Sequence, residues 1–455
     1  MKLDLEGIYM AAIKNLNPAR ILVLGFFAVI LCGALLLYLP IASKGGAEVP
    51  IMTALFTAIS ATTITGLVVV DTAHTWGVFG LAVILCLMQI GGLGFMSVIT
   101  VFFFLMHKKI GLTQRMLMVQ TMSLHDMQGV VRLIRHVMVG TVFFQSVGVL
   151  ALLTRFAPMY GFWGGLGRSV FFAVSAFCNA GFDLVDRTYA ASPYYFNDWV
   201  ITITVISLVL IGGLGFFVWE DIWRSRRFGK FHIHTKLVLV SSLLLVVIGA
   251  LFYFFAENKN PGTFGGLTRP DMLLASLFQT SMTRSGGLAM ASQSSLRGVS
   301  QMMTILLMLV GGSAGSTAGG IKNVTVAILV LSAINRLRGK NLLSIFGRTI
   351  PASQILSALS IAVVVIALCF TGAVFISFTQ PGLPFAGILF ETASAIATCG
   401  LTQGITPLLE PPAQIVIMFL MLFGRVGIMT LGMAVFMGRG KTEKIKYPDA
   451  WVIIG

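Results

Sequence analysis

Charged residues are scarce in this chain of 455 residues, since only 10% are Asp, Glu, Lys or Arg and 57% are hydrophobic. An ordinary soluble domain has about 25% charged residues. So few charges could not keep so much apolar surface in solution, which excludes the common water-soluble classes. Apolar stretches near the roughly 20 residues that cross a bilayer recur from end to end instead. We predict eight spans, at residues 20–42, 76–106, 132–155, 199–219, 234–256, 300–334, 353–378 and 413–438.

The sequence also lacks paired cysteines and a signal-peptide pattern. Its five cysteines lie singly in apolar segments, which excludes a disulfide framework or a zinc site: Cys32, Cys86, Cys178, Cys369 and Cys399. No small-residue cleavage site follows a short apolar run near the N-terminus, so we expect the first span to be retained. The six histidines fall in loops or at their edges, which argues against an intramembrane enzyme.

Acidic residues are outnumbered by basic ones, 16 against 31, which gives a net charge of +15. Lys and Arg accumulate in the short cytoplasmic loops of membrane proteins. With both termini inside, 21 basic residues fall on the cytoplasmic side and seven on the outer side. We therefore predict a multi-pass protein of the inner (plasma) membrane with both termini in the cytoplasm. Nucleic-acid binding is disfavoured because no soluble basic domain is present to carry it.

Four copies of one pattern lie between the members of each pair of spans. In each copy a serine precedes a glycine and a bulky apolar residue by six positions: Ser60 and Gly66-Leu67, Ser175 and Gly181-Phe182, Ser281 and Gly287-Leu288, Ser394 and Gly400-Leu401. The apolar segments that hold them, 50–70, 165–185, 272–291 and 384–404, are too short to span and predict re-entrant loops. Because non-helical backbone at membrane depth must be buried in protein or line a watery cavity, we expect four loops around one pore.

The second span of each pair carries a related glycine-rich motif: Gln89–Phe95, Leu210–Phe216, Val310–Ser316 and Leu422–Ile428. Small residues can serve only to pack helices closely. Recurrence beside every pore loop favours a shared architecture instead. The predicted fold is an all-α polytopic membrane protein with eight transmembrane helices and four re-entrant pore loops, in four span-loop-span repeats with pseudo-fourfold symmetry.

The third repeat departs from the others. Phe56, Phe171 and Phe390 lie four residues before the repeat serine, whereas Phe278 lies three before it. This loop also offers two adjacent glycines, Gly286 and Gly287. We choose Gly287 because it keeps the serine spacing, and Gly286 remains the alternative.

A glycine-rich run interrupts the span at 300–334, because five of the ten residues from Gly311 to Gly320 are glycine. Glycine lowers helix stability by roughly 1 kcal/mol per residue, so we expect an irregular intramembrane loop under the pore. Our hypothesis is a movable gate, with a static packing break as the alternative. A phosphate-binding loop is disfavoured because no strand precedes the run and no Gly-Lys-Ser/Thr follows.

Isolated charges at membrane depth are candidate functional residues. Arg425 lies in the middle of a span, where an arginine usually faces the bundle interior, and a salt bridge within the bundle is the alternative. Arg284 and Glu391 lie in pore-loop segments, and we predict that they, or other buried partners, neutralise one another. The acids near the outer loop ends could concentrate cations or could simply be solvated: Asp71, Asp183 and Asp186.

Two sequence runs, Gly311–Lys322 and Phe423–Gly427, resemble the Trk/Ktr/HKT superfamily of potassium transporters, and the likeness covers nearly the whole chain. Eight spans and the tail that begins at Lys446 are most similar to its KtrB branch of pore-forming subunits. The resemblance implies potassium uptake, sodium stimulation, a homodimer, and a cytosolic KtrA-type ring that binds ATP, ADP or NAD. It implies no cofactor bound by this chain, no nucleic acid and no enzymatic activity. A Trk-type subunit, or a less selective sodium/potassium member of the superfamily, is the alternative.

Within that resemblance the loop carbonyls form the potassium filter, and glycine allows backbone dihedrals that other residues avoid. One glycine per loop implies few well-formed ion sites and soft selectivity. The predicted filter residues are Thr62, Thr63, Ile64, Thr65, Gly66, Phe177, Cys178, Asn179, Ala180, Gly181, Thr283, Arg284, Ser285, Gly286, Gly287, Ile396, Ala397, Thr398, Cys399 and Gly400. The predicted gating residues are Gly311, Gly312, Ser313, Ala314, Gly315, Ser316, Thr317, Ala318, Gly319, Gly320, Lys322 and Arg425.

The predicted organisation divides the chain into repeats and cytoplasmic segments. The boundaries are 1–19, N-terminus; 20–106, repeat 1; 107–131, loop; 132–219, repeat 2; 220–233, loop; 234–334, repeat 3 with the gating loop at 311–320; 335–352, loop; 353–438, repeat 4; and 439–455, tail.

Overall fold

The computed structural model describes residues 18–94, 130–184, 198–340 and 342–427, and this part of the chain is mostly helical. Its α-helices are α1 (Pro18–Tyr38), α2 (Ile51–Thr62), α3 (Thr72–Thr75), α4 (Val78–Leu93), α5 (Val130–Cys178), α6 (Trp199–Leu214), α7 (Phe216–Ser225), α8 (Ile233–Glu257), α9 (Arg269–Thr283), α10 (Gly298–Leu309), α11 (Asn323–Leu337), α12 (Ala352–Thr379), α13 (Phe385–Ile396) and α14 (Pro411–Val426). An antiparallel hairpin, β1 (Leu343–Ile345) and β2 (Arg348–Ile350), lies in the predicted 335–352 loop and was not expected from the sequence. Several predicted segments lie outside the described residues, in whole or in part. These are residues 1–17 of the N-terminal segment 1–19, residues 95–129 with most of the 107–131 loop, Asp186, residues 428–438 of the last span, and the tail 439–455.

Four of the described helices are long and apolar enough to cross a membrane: Arg20–Tyr38, Arg132–Cys178, Ile233–Glu257 and Ala352–Thr379. They begin close to the first predicted span of each repeat. The pair α6 and α7 would form a fifth span, although the chain bends by 90° between them. Shorter apolar helices α4, α10, α11 and α14 occupy the described parts of the other predicted second spans. The count of eight spans remains a prediction.

Burial is reversed relative to a soluble protein, because the outward faces of the long helices are apolar. Leu35 on α1 and Leu243 and Phe255 on α8 are each at least 65% exposed. The short helices α2, α9 and α13 are mostly buried, and polar residues such as Ser60 and Ser394 are fully buried within them. An apolar outer surface around a partly polar centre suits a protein surrounded by lipid.

The short inner helices begin at or beside a proline. Pro50 and Pro384 are the residues just before α2 and α13, and Pro270 lies in the first turn of α9. Proline suits the start of a helix because its missing N–H would have no intrahelical acceptor there. In the second repeat the inner helix is part of α5, which breaks at Gly161 (φ 73°).

The glycine-rich motifs share one backbone feature. The glycine at the sixth motif position has a positive φ in all four copies: Gly94 (82°), Gly215 (96°), Gly315 (65°) and Gly427 (88°). Three of these glycines directly follow the ends of α4, α6 and α14. Because L-residues disfavour this conformation, glycine is required where each second helix stops or bends.

Candidate functional site

The four predicted pore loops share the same sequence of backbone conformations. Each inner helix ends a few residues before the loop glycine, and the residue two positions before that glycine has a positive φ: Ile64 (53°), Asn179 (55°), Ser285 (70°) and Thr398 (45°). Each loop glycine also has a positive φ: Gly66 (83°), Gly181 (70°), Gly287 (71°) and Gly400 (94°). A non-glycine residue in this region is strained, and such strain persists only where the surrounding structure holds it.

The four loop glycines lie around a common centre. A Cβ atom added to Gly181 would lie 3.1 Å from the Cα atom of Gly287 and 3.4 Å from that of Gly66. A Cβ atom on Gly400 would lie 3.2 Å from the Cα atom of Gly66, and one on Gly287 would also contact the carbonyl oxygen of Cys399. We call Gly66, Gly181, Gly287 and Gly400 the glycine ring. No side chain fits between these backbones.

The structure places Gly287, and not its neighbour, in the ring. An added Cβ atom on Gly286 would instead lie 2.8 Å from the sulfur of Met282 and 3.1 Å from Val209. Gly286 also lacks the positive φ that the four ring glycines share. Of the two glycines left open by the sequence, Gly287 is therefore the geometric counterpart of the other three.

The repeat serine holds the chain on both sides of the turn in three loops. Ser60 Oγ donates to the carbonyl of Leu67 (2.7 Å), and Ser175 Oγ donates to that of Phe182 (2.6 Å). In the fourth loop Ser394 Oγ accepts from the N–H of Gly400 (3.0 Å). The serine-to-glycine spacing thus reflects a hydrogen bond across the turn, a role that the sequence pattern did not reveal.

The third loop uses a different arrangement. Ser281 Oγ donates to Leu277 within its own helix (2.7 Å). The N–H of Gly287 bonds to Met282, five residues back, whereas Ala180, which precedes Gly181, bonds to Ser175. The hydrogen-bond register is therefore shifted by one residue relative to the serine, as the spacing of Phe278 also indicates.

Glycines of the second helices pack on the ends of the inner helices. An added Cβ atom on Gly91 would lie 2.9 Å from the carbonyl carbon of Thr62, and one on Gly212 would lie 3.2 Å from that of Phe177. Gly424 lies equally close to the carbonyl of Ile396. These three carbonyls stand four residues before a ring glycine. The glycine-rich motifs therefore let the second helices support the loops through their backbone.

The predicted intramembrane loop lies between α10 and α11 and packs against the ends of the pore loops. Thr317 Oγ1 donates to the carbonyl of Phe177 (3.1 Å) and accepts from the side-chain amide of Asn179 (2.8 Å). An added Cβ atom on Gly319 would lie 3.0 Å from the Cβ atom of Thr398. The loop thus contacts the second and fourth pore loops at residues just before the glycine ring.

Two cationic side chains hold successive carbonyls of this loop. Arg425 donates from Nη1 to Thr317 (2.9 Å) and from Nη2 to Gly92 (3.1 Å) and to Gly91. Lys322 Nζ donates to the carbonyl of Ala318 (2.7 Å). Among the described residues Arg425 has no carboxylate partner, so the alternative of a salt bridge within the bundle is not found there. The sequence did not identify Gly91 and Gly92 as acceptors, although their repeated glycine pair was a possible signal.

Arg284 and Glu391 do not pair with each other, so the first of the two predicted arrangements is wrong and each has other buried partners. Arg284 donates to the hydroxyl of Ser242 (3.2 Å) and to its carbonyl (3.4 Å). Glu391 accepts from groups of its own repeat instead. The two side chains belong to different repeats, and each bonds to groups of its own repeat.

The predicted outer acids have different environments. Asp71 caps α3 by accepting from the N–H of Ala73 (2.8 Å), which gives it a structural role. Asp183 is partly buried just after the second ring glycine. A role of these acids in concentrating cations stays a prediction.

Comparisons with known proteins are consistent over the length of the chain. The family model TrkH, described as "Cation transport protein", matches residues 17–444. The Ktr system potassium uptake protein B of Bacillus subtilis is 39% identical over 96% of this chain and 97% of that protein. The potassium/sodium uptake protein NtpJ of Enterococcus hirae is 36% identical over 97% of this chain and 98% of its own length. A crystal structure of the potassium transporter TrkH from Vibrio parahaemolyticus shares the fold with a TM-score of 0.71, at 17% identity, over 91% of this chain and 83% of that one.

Proposed function

This chain belongs to the TrkH family of cation transport proteins, and we propose that it takes up potassium across the plasma membrane through the glycine ring. The observation that carries the proposal is the ring itself. Four glycine backbones from four loops meet where no side chain fits, and all four have positive φ angles. Such a passage presents neutral carbonyl oxygens, which can replace the water around a weakly hydrated monovalent cation.

The loops that surround the ring are similar but not identical, which bears on selectivity. The third loop has a shifted hydrogen-bond register, and the residues two before the ring glycine differ in all four loops. Each loop supplies one ring glycine, so few ion sites are complete. We infer a moderate preference for potassium over sodium, with potassium as the transported ion and no cofactor held by this chain.

The intramembrane loop at 311–320 is proposed as the gate, with Arg425 and Lys322 holding it closed. Support comes from its place against the pore loops and from its hydrogen bonds to Phe177 and Asn179. A gate must leave this position for ions to pass. Its five glycines suit such a movement because they leave the backbone many accessible conformations.

The proposed setting is a homodimer in the plasma membrane, with both termini cytoplasmic, that is controlled by a cytosolic nucleotide-binding ring of the KtrA type. Three relatives are named as parts of a Ktr system, which supports a regulatory partner. Stimulation by sodium belongs to the same proposal. The candidates for the docking surface are the loops near 107–131, 220–236 and 335–352, of which the first lies mostly outside the described residues.

Uptake of both potassium and sodium is the second candidate function, because one relative is named a potassium/sodium uptake protein. Rubidium uptake into proteoliposomes that contain the purified chain distinguishes the two candidates. We expect external potassium to inhibit rubidium uptake at lower concentration than sodium does, and low sodium to stimulate it. Equal inhibition by both ions would favour the second candidate, and an absence of uptake would contradict both.

A further inference from the structure

Glu391 is a buried carboxylate on the inner helix α13, and its hydrogen-bond donors all lie beyond the glycine ring. One carboxyl oxygen accepts from the hydroxyl of Thr402 (2.5 Å) and from the backbone N–H of Gln403 (3.0 Å). The other accepts from the hydroxyl of Thr406 (2.7 Å). The Glu391 side chain thus ties the helix before Gly400 to the segment that follows it.

The third repeat contains the same connection made from different residues. Gln279 on α9 donates to the side-chain oxygen of Gln293 (2.7 Å) and accepts from its amide (3.4 Å). Gln293 is 1% exposed and Gln279 3%, so the pair is closed to water. Here too a polar side chain of the inner helix holds the chain beyond the ring.

The two connections occupy equivalent positions once the shortened third loop is taken into account. Phe278 stands one residue closer to its ring glycine than Phe390 does, so Gln279 and Glu391 each directly follow the repeat phenylalanine. Gln293 and Thr406 each stand six residues after the ring glycine and begin a short 3-10 turn. Two adjacent repeats therefore build one contact with different chemistry, which indicates that the contact itself is what matters.

The other two repeats carry different residues at this position. Thr57 follows Phe56 in the first repeat, and Phe172 follows Phe171 in the second. A short hydroxyl side chain and an aromatic ring cannot reach across the loop as a glutamate or glutamine does. At this position the connection is therefore made in the third and fourth repeats, whereas in the second repeat Arg168 of the inner helix donates to the carbonyl of Leu184, beyond Gly181 (2.6 Å).

We propose that Glu391 and Gln279 are positioning residues that set cation selectivity by fixing the segments after Gly400 and Gly287. The inference rests on the proposed function of the glycine ring as the ion filter. Carbonyls that line an ion path discriminate between cations only if their positions are held, and buried hydrogen bonds behind the lining provide that support. A carboxylate accepts three donors at once, whereas an amide in its place would turn an NH2 group towards one of them.

The test measures the selectivity ratio, which is the sodium concentration that half-inhibits rubidium uptake divided by the potassium concentration that does so, for the full chain in proteoliposomes. Thr406→Val and Glu391→Gln each remove part of the fourth-repeat contact, and Gln293→Leu removes that of the third. We expect each change to reduce the selectivity ratio by about tenfold. The reason is that the free energy lost with one hydrogen bond to a charged or fully buried group corresponds to a factor of about ten. Thr406→Ser keeps the hydroxyl and should retain the ratio of the unchanged protein.

The chain offers matched controls on the same helices. Thr392 and Thr280 are fully buried, but their hydroxyls donate within their own helices, to Leu389 (3.1 Å) and to Ser276 (2.7 Å), and that of Thr392 also contacts Cys369 Sγ on α12 (3.7 Å). Thr392→Val and Thr280→Val should leave the selectivity ratio unchanged. An equal loss of selectivity in these controls would overturn the inference, because burial alone would then explain the effect.

Gly400→Ser, measured in parallel, distinguishes a failure of the positioning role from a failure of the proposed filter. If it changes the ratio while Thr406→Val and Gln293→Leu do not, the positioning role is refuted and the filter stands. If Gly400→Ser also leaves the ratio unchanged, the filter assignment fails and the inference fails with it. Should Glu391→Gln not yield folded protein, the single-hydroxyl change at Thr406 still decides the outcome.

Discussion

Thr317 is attached to the rest of the protein through all of its polar atoms, which makes it the sharpest point at which to test the gate. Its N–H bonds to Gly212 (3.3 Å) and its carbonyl accepts from Arg425 (2.9 Å). Its hydroxyl bonds to both Phe177 and Asn179. Thr317→Val keeps the shape of the side chain and the backbone bonds and removes only the two hydroxyl contacts. We predict that this change opens the pore.

The magnitude follows from those two hydrogen bonds. Each contributes about 1 kcal/mol to the closed arrangement, so their loss destabilises it by about 2 kcal/mol. Since 1.4 kcal/mol corresponds to a factor of ten, the ratio of open to closed pores should rise by about 30-fold. The change destabilises the closed pore and not the open one. Without the Thr317 hydroxyl, the Asn179 amide is buried without that partner for as long as the loop stays in place.

The assay is the initial rate of rubidium uptake into proteoliposomes at equal amounts of inserted protein, with the chain alone. Where the pore of the unchanged protein is mostly closed, the rate of rubidium uptake should rise by up to about 30-fold after Thr317→Val. Ser316→Ala is the matched control, because Ser316 Oγ bonds only within the loop, to Ser313 (2.7 Å) and Ala318 (3.2 Å). An unchanged or slower rate in folded Thr317→Val protein would refute the gate, and an equal rise in Ser316→Ala would show that bonds within the loop, and not the Thr317 hydroxyl contacts, hold it closed.

Two further predictions address the ring and the arginine. Gly287→Ser should raise the KM for potassium uptake several-fold, because the added side chain meets the backbone of Gly181. Gly347→Ser, at an open position with a similar φ of 77°, should leave the KM unchanged. Equal KM values for the two variants would argue against the ring as the ion path. Arg425→Gln should increase uptake at least tenfold, since a hydrogen bond from a charged group contributes about 1.5–3 kcal/mol. Exposed Arg338→Gln serves as its control, and a fall in uptake for Arg425→Gln would show that the arginine supports the pore and does not close it.

The third loop, with its shifted hydrogen-bond register, shows how much residue spacing alone could predict. The serine-to-glycine interval located all four loop glycines, and the aromatic spacing already marked the third repeat as different. Whether Gly286 or Gly287 enters the ring depended on backbone dihedrals and on the neighbouring loops. Those are set by packing among four segments that lie more than a hundred residues apart, so no local pattern could decide it.

The buried charged residues show what the sequence could not predict. Their presence in apolar segments correctly marked Arg425, Arg284 and Glu391 as residues with special environments. Their partners were not predictable, because an arginine can be satisfied by carbonyls as well as by a carboxylate. Arg425 uses carbonyls of two distant elements, and Glu391 uses hydroxyls and an N–H of its own repeat.

The sequence by itself determined the membrane character of this protein, the places where helices must break and the four glycines that recur. These properties depend on hydropathy and on the dihedral freedom of single residues, which are local. Only the tertiary structure decided that the glycines meet in one ring, that the intramembrane loop lies against it, and that Thr317, Glu391 and Gln279 hold their particular partners. Such contacts join residues distant in the chain, and their geometry exists only once the helices have packed.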